Sequence, residues 1–255
     1  MWEFFGKILC INLREREDRY QYALQTFSNL MIPVSFYRTK RDPEGGLAGC
    51  YRSHLACARL AYEAGCESVL IFEDDVKPTS KFSLKRVQEC IDFMKNNKDW
   101  NIFFLGCFPD TLASRAEKVE GQQSIYLTKA YGGHAYVMSR RFMEKFIKME
   151  YIGLAVDWIY QGIDHAYGYF PCIFEQSCQG SDIQNFEWDC TKNNLLKLNE
   201  WWATNVSSPL IPLGVTFIVM MLLLLVLLMW RPAEEKWMWF FLILTLFFLF
   251  ALVKL

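Results

Sequence analysis

Glu73, Asp74 and Asp75 follow four apolar residues in the stretch VLIFEDDV, a run of three carboxylates at the end of an apparent strand. In an extended segment side chains alternate, so Glu73 and Asp75 share a face and Asp74 points away. Two carboxylates a few ångströms apart repel, and one tends to stay protonated. A divalent cation removes that conflict. Mg²⁺ and Mn²⁺ prefer oxygen ligands, and Mg²⁺ commonly combines one or two protein carboxylates with substrate phosphate. The acids therefore read as half of a metal–diphosphate site. A solvated strand-end turn with a capping Asp is the plainer reading of the same residues.

Such a site needs a frame that brings the ends of strands together. Lys7 to Leu13 reads as a buried strand, and Val34 to Tyr37 as a short one. Tyr20, Ala23, Leu24, Phe27 and Leu30 recur at helical spacing between them. Lys40 to Gly49 reads as a loop and Ser53 to Ala64 as a helix stopped by Gly65. Val69 to Phe72 is a buried strand, Leu84, Val87, Ile91 and Met94 mark a helix, and Trp100 to Leu105 is a strand closed by Gly106. Residues 113–123 form a polar excursion. Ala135 to Met138 is a strand, with Ser139 placed to cap the next helix. Val156 to Tyr167 reads as helix and Tyr169 to Phe174 as strand. This alternation predicts an α/β domain built on a mainly parallel sheet with helices on both faces. Ligands in such sheets sit at the carboxyl ends of the strands. No G-x-G-x-x-G follows the first strand, and there is no P-loop.

The last fifth of the 255-residue chain is different. Leu210 to Trp230 is a run of 21 residues without a formal charge. As a helix rising about 1.5 Å per residue it is roughly 30 Å long, enough to cross a bilayer core. A second uncharged run, Trp237 to Val253, has 17 residues. Tryptophans 201, 202, 230, 237 and 239 cluster around the ends of these runs, where indole rings favour the interface. The pattern predicts an α/β domain over residues 1–195, a linker at 196–208, and a membrane hairpin over 209–255 with helices at about 210–230 and 237–253. A single span followed by an interfacial helix is the alternative. A net charge of −1 gives no push toward nucleic acid. The start, MWEFFGKILCINL, reads as a first strand and not as a signal peptide, which leads us to expect the α/β domain in the cytoplasm, anchored at its C-terminal end. The nine cysteines include no C-x-x-C pair, and Cys10, Cys107 and Cys172 lie in apolar runs, so buried free thiols are expected.

Six segments in order resemble glycosyltransferase family 25, which includes bacterial lipopolysaccharide glycosyltransferases and collagen galactosyltransferase domains. They are INLREREDRYQYALQTF (11–27), GCYRSHLACARLAYEAGCESVLIFEDDV (49–76), WNIFFLG (100–106), GGHAYVMSRRFMEKFI (132–147), AVDWIY (155–160) and QGSDI (179–183). The resemblance spans roughly residues 7 to 185. It implies a GT-A-like nucleotide-sugar fold, a UDP-sugar donor, Mn²⁺ as cofactor with Mg²⁺ as a substitute, and inversion at the anomeric carbon.

Carried over residue by residue, the resemblance makes Asn12, Arg16 and Arg19 donor-binding, although Arg16 can equally pair with Asp18. It places Ser53 and His54 at a helix start near the donor, where Ser53 as a cap and His54 as a packed histidine are the structural alternatives. It makes Asp75 the metal ligand, Glu73 a second ligand or ribose contact, and Asp74 a sugar or supporting contact. Asp157 becomes the general base, with a helix cap as its competing role and Asp164 as a weaker candidate. Gly132 and Gly133 permit close backbone approach, and His134 is structural. Gln176, Ser181 and Asp182 become nucleotide contacts on a loop. The chain departs from the family at Leu47, where the family often carries Glu, and in the shorter loop after Arg38. The implied protein is a membrane-tethered transferase moving a hexose to a glycan, glycolipid or protein acceptor. A catalytically inactive scaffold that keeps the fold is the alternative.

Overall fold

A computed structural model describes residues 1–109 and 116–177. After a 3-10 turn at Trp2–Phe5, the strands are β1 (Lys7–Leu13), β2 (Ser35–Thr39), β3 (Ser68–Glu73), β4 (Val76–Pro78), β5 (Ile102–Pro109), β6 (Glu117–Lys118), β7 (Ile125–Leu127), β8 (Ala130–Ser139), β9 (Ala166–Tyr169) and β10 (Phe174–Gln176). The helices are α1 (Glu17–Asn29), α2 (Gly46–Glu63), α3 (Leu84–Asn96), α4 (Arg140–Phe146) and α5 (Val156–Gln161).

Eight strands form one sheet in the order β2-β1-β3-β8-β5-β9-β7-β6. β2, β1 and β3 run parallel, as do β5 and β9. β8 is antiparallel to both β3 and β5, and β7 is antiparallel to β9 and β6. The sheet is therefore mixed, which corrects the expectation of a mainly parallel one. Its interior reversal is β8, a buried ten-residue strand inserted in reverse between β3 and β5, and β7 adds a second near the far edge. A strand buried on both faces reads as a continuous apolar run whichever way it points, so composition cannot report its direction.

Helices cover both faces. In β3, Val69 and Ile71 join one core cluster while Leu70 and Phe72 join the other. The first cluster takes Tyr51, Cys57, Ala58 and Ala61 of α2, Phe142, Met143 and Phe146 of α4, and Val156 and Tyr160 of α5. The second takes Ala23 and Phe27 of α1 and Val87, Cys90, Ile91 and Met94 of α3. Period two in the strands and spacings of three and four in the helices produce this division. Ser83 caps α3, accepting from the Arg86 amide at 3.3 Å, and Ser139 caps α4, accepting from Phe142 at 3.2 Å.

Several boundaries differ from the sequence pattern. α2 begins at Gly46, seven residues before Ser53, because Gly45 takes φ 101° as its N-cap, a conformation open to glycine. α5 stops at Gln161, and the apolar stretch after it divides into β9 and β10. β5 runs past Gly106 to Pro109 through two register shifts. A Cβ at Gly106 would lie 2.6 Å from the Phe174 carbonyl oxygen and from His134 Nε2, so glycine permits that close approach. β10 pairs antiparallel with β4, setting Gln176 opposite Val76. No helix among the described residues is long and apolar enough to cross a membrane. The two apolar runs predicted to form a hairpin lie outside the described residues.

Candidate active site

A cleft of about 470 Å³ opens where β1 and β3 end, within the usual range of about 300–1,000 Å³ for small-molecule sites. Ile11 and Leu13 of β1, Arg19 of α1, and Glu73, Asp74 and Asp75 at the end of β3 line one part. Arg41, Asp42 and the start of α2 from Gly45 to His54 line another. Tyr131, Gly132, Asp157, Gln176 and Ser177 complete it. The loop before α2 is held by Arg52, which donates to Asp42 Oδ1 at 2.7 Å and to Glu44 Oε1 at 2.6 Å.

The three acids have three different environments. Glu73, the last residue of β3, faces α2, with its Oε1 3.5 Å from His54 Nε2 and its Oε2 accepting from Gln176 Nε2 at 3.1 Å. Asp74 turns the other way, accepting from Asn12 Nδ2 at 2.6 Å and Arg19 Nη1 at 2.9 Å. Asp75 lies 3.4 Å from Arg19 Nη2 through Oδ2, while its buried Oδ1 has no hydrogen-bond partner among the described residues. Alternation thus separates Glu73 from Asp74 but lapses at Asp75, because the strand has ended and the chain is turning. Arg19 bridges Asp74 and Asp75, so two neighbours that strict alternation would set on opposite faces share one partner.

Burial pushes the Glu73 carboxyl up to about 8, helped by the charges of Asp157 and Asp74. It pushes Asp75 up to about 8 as well, with Glu73 the next cause. Without a cation, both groups hold protons near neutral pH. An orphaned carboxylate oxygen beside a second poorly solvated carboxylate fits a hard divalent ion. Asp75 and Glu73 could hold Mn²⁺ or Mg²⁺.

His54 lies mid-helix and is buried, and burial draws its imidazole down to about 4, leaving it neutral at physiological pH. Its Nδ1 meets the Tyr136 hydroxyl at 2.5 Å, and Tyr160 donates to the Tyr136 oxygen at 2.7 Å. Ser53, in the middle of α2 and not at its start, donates back to the Gly49 carbonyl at 2.6 Å. Neither residue therefore offers a helix N-terminus to an anion. That position belongs to Gly46, which the loop reading of residues 40–49 obscures.

Asp157 lines the cleft in the first turn of α5. It is not the cap, which is Ala155; its Oδ1 accepts a long hydrogen bond of 3.5 Å from the Gly133 amide. Asp164 is exposed beyond the end of α5, and its carbonyl accepts from Asn101 at 2.7 Å. Asn12 and Arg16 do not line the cleft. Asn12 holds Asp74, and Arg16 pairs with Asp18 at 2.8 Å. His134 is buried outside the cleft lining, 3.4 Å from the Phe174 carbonyl. Ser181 and Asp182 lie outside the described residues. Arg41 and Tyr131 line the cleft but belong to no motif read above, and Cys50 lines it from within the 49–76 segment, where the resemblance gives it no role. For Cys50 the readable signal is its i, i+4 spacing from His54 on one helix.

Residues 40–160 match the family described as Glycosyltransferase family 25 (LPS biosynthesis protein). This stretch carries the glycosyltransferase family 25 pattern. It contains the start of α2, all three acids and Asp157. Procollagen galactosyltransferase 2 from Mus musculus is 26% identical over 129 aligned residues, covering 40% of this chain and 21% of the relative. The chain thus spans about a fifth of the curated relative it matches. Among solved structures, a glycosyltransferase involved in the glycosylation of the major capsid of PBCV-1 has a TM-score of 0.45 at 11% identity, covering 75% of this chain and 98% of that one. Apo UDP-glucose pyrophosphorylase has a TM-score of 0.40 at 11% identity, covering 67% and 74%. Likeness at these levels carries no functional argument, so the site's chemistry has to stand on its own residues.

Proposed function

We propose that the protein is a divalent-metal-dependent, inverting glycosyltransferase that moves a hexose from a UDP-sugar to a hydroxyl of a glycan, glycolipid or protein acceptor. One observation carries this reading: the buried Oδ1 of Asp75, without a partner among the described residues, in a cleft that also gathers Glu73, Arg19 and Asp157. The family pattern over residues 40–160 and the galactosyltransferase relative support it.

Asp75 and Glu73 would hold the ion, which would supply Lewis-acid stabilisation of negative charge on the diphosphate. Arg19 neutralises Asp74 and stands beside Asp75, where it keeps the acid cluster from repelling the donor's phosphates. Arg41 adds positive charge at the cleft lining, and the first turn of α2 turns backbone N–H groups toward an anion. Asp157 takes the proton of the acceptor hydroxyl as that oxygen bonds to the anomeric carbon and the nucleoside diphosphate leaves. The Gly133 amide reaches one oxygen of that carboxylate through a long hydrogen bond. The apolar runs at 210–230 and 237–253 tether the enzyme to a bilayer and keep the cleft near membrane-borne acceptors.

The test is calorimetric binding and slow hydrolysis by the full-length chain with Mn²⁺, across UDP-galactose, UDP-glucose and UDP-N-acetylhexosamines. We expect one donor to bind and turn over only with metal. Absence of metal-dependent binding with every donor would sink the proposal.

A further inference from the structure

We propose that Cys50, His54 and Glu73 form a binding site for a thiophilic divalent cation such as Zn²⁺, set beside the oxygen-rich position of Asp75. Cys50 and His54 are one turn apart on α2 and face the same way, and Glu73 closes the triangle from the end of β3. One ligand atom from each of the three lies within 4.8 Å of the others. Tetrahedral bonds of about 2.0–2.3 Å set ligand atoms roughly 3.3–3.8 Å apart. The 3.5 Å between His54 Nε2 and Glu73 Oε1 already meets that spacing.

The donor set is sulfur, nitrogen and oxygen, which suits Zn²⁺ and is foreign to the all-oxygen preference of Mg²⁺. Atoms behind the ligands are also arranged for the task. Tyr136 engages His54 Nδ1, leaving Nε2 turned to the cleft. Ligation through Nε2 places the ring proton on Nδ1, and the Tyr136 oxygen has lone pairs for both that proton and the one from Tyr160. Gln176 holds Glu73 Oε2, leaving Oε1 on the His54 side. Support of this kind on the far atoms of ligands is usual at metal sites. The cleft supplies room for water as the fourth ligand, and Cys50 is only partly buried, so the ion has a way in. A neutral His–Glu hydrogen bond beside a packed thiol is the competing account, and it gives Cys50 no electronic role.

The inference shares Glu73 with the proposed oxygen-ligated position, but its test needs no nucleotide, so it can fail without the glycosyltransferase reading failing. Full-length protein in detergent is stripped with a chelator and titrated with Co²⁺. We expect a thiolate-to-cobalt charge-transfer band in the near ultraviolet at one equivalent, bleached by Zn²⁺. Cys50→Ser should remove the band with circular dichroism unchanged. A band that survives Cys50→Ser, or no band in the wild type, overturns the proposal. Should Cys50→Ser fail to fold, X-ray absorption on the wild-type zinc form decides: one sulfur with an imidazole supports the site, and any other sulfur count overturns it.

Discussion

At the residue scale, the acids of β3 divide their work by the partner each one meets. Asp74 is fully engaged by Asn12 and Arg19, whereas Asp75 retains an oxygen with no partner among the described residues. We predict that Asp75→Asn abolishes metal-dependent nucleotide binding while the protein stays folded, measurable by calorimetry with and without Mn²⁺. Asp157→Asn should bind donor normally and lose transfer by about 10²–10⁴-fold, the range for removing a positioned general base. Normal transfer by that variant would remove Asp157 from the role. The pH dependence follows from Glu73 and Asp75, both pushed up to about 8. Between the ordinary carboxylate range and about 8 the folded state binds more protons than the unfolded state, so stability falls as pH rises through that window. Melting of the metal-free protein should drop from pH 5 to 8.5, and Mn²⁺ should raise the melting temperature more at pH 8.5 than at pH 6, because fewer protons need displacing. Equal metal stabilisation at both values contradicts this. The three consecutive carboxylates are plain in the sequence; their division is not, since it depends on where β3 stops.

At the element scale, Arg19 ties α1 to the turn after β3 through Asp74 and Asp75. The side chains of Arg19 and Asp74 are only 9% and 8% exposed, so little water compensates when one is removed. Arg19→Met should destabilise the fold by about 3–5 kcal/mol, the usual consequence of leaving a buried charge without its partner. Urea denaturation with an unchanged slope checks it; a loss below about 1 kcal/mol would make the pair a surface-like one. The strand Lys7–Leu13 and the cap at Ser139 are legible because they depend on neighbouring residues alone. The start of α2 is less so. Pro43, Gly45 and Gly46 signal a loop, yet Gly45 serves as an N-cap and Gly46 as the first helical residue. Moving that boundary shifts Ser53 and His54 from a helix end to its middle, and with it the chemistry open to them.

At the scale of the whole molecule, one sheet divides two helical layers and gathers the cleft at its strand ends, with Gln176 delivered from the β4–β10 pair. For the chain beyond the described residues, we predict that the full-length protein pellets with membranes and resists carbonate extraction, and that deleting residues 209–255 releases it. Extraction of the full chain by carbonate would contradict the hairpin. The sequence by itself determined the α/β class, both buried faces of β3, and the family pattern around the acids, because periodicity and ordered motifs are local and survive without a fold. Only the tertiary structure decided that β8 enters in reverse, that among the described residues Asp75 and not Asp74 keeps an unpartnered oxygen, and that Cys50, His54 and Glu73 meet. Those facts depend on which elements become neighbours, and a run of apolar residues specifies burial without naming the partner or the direction.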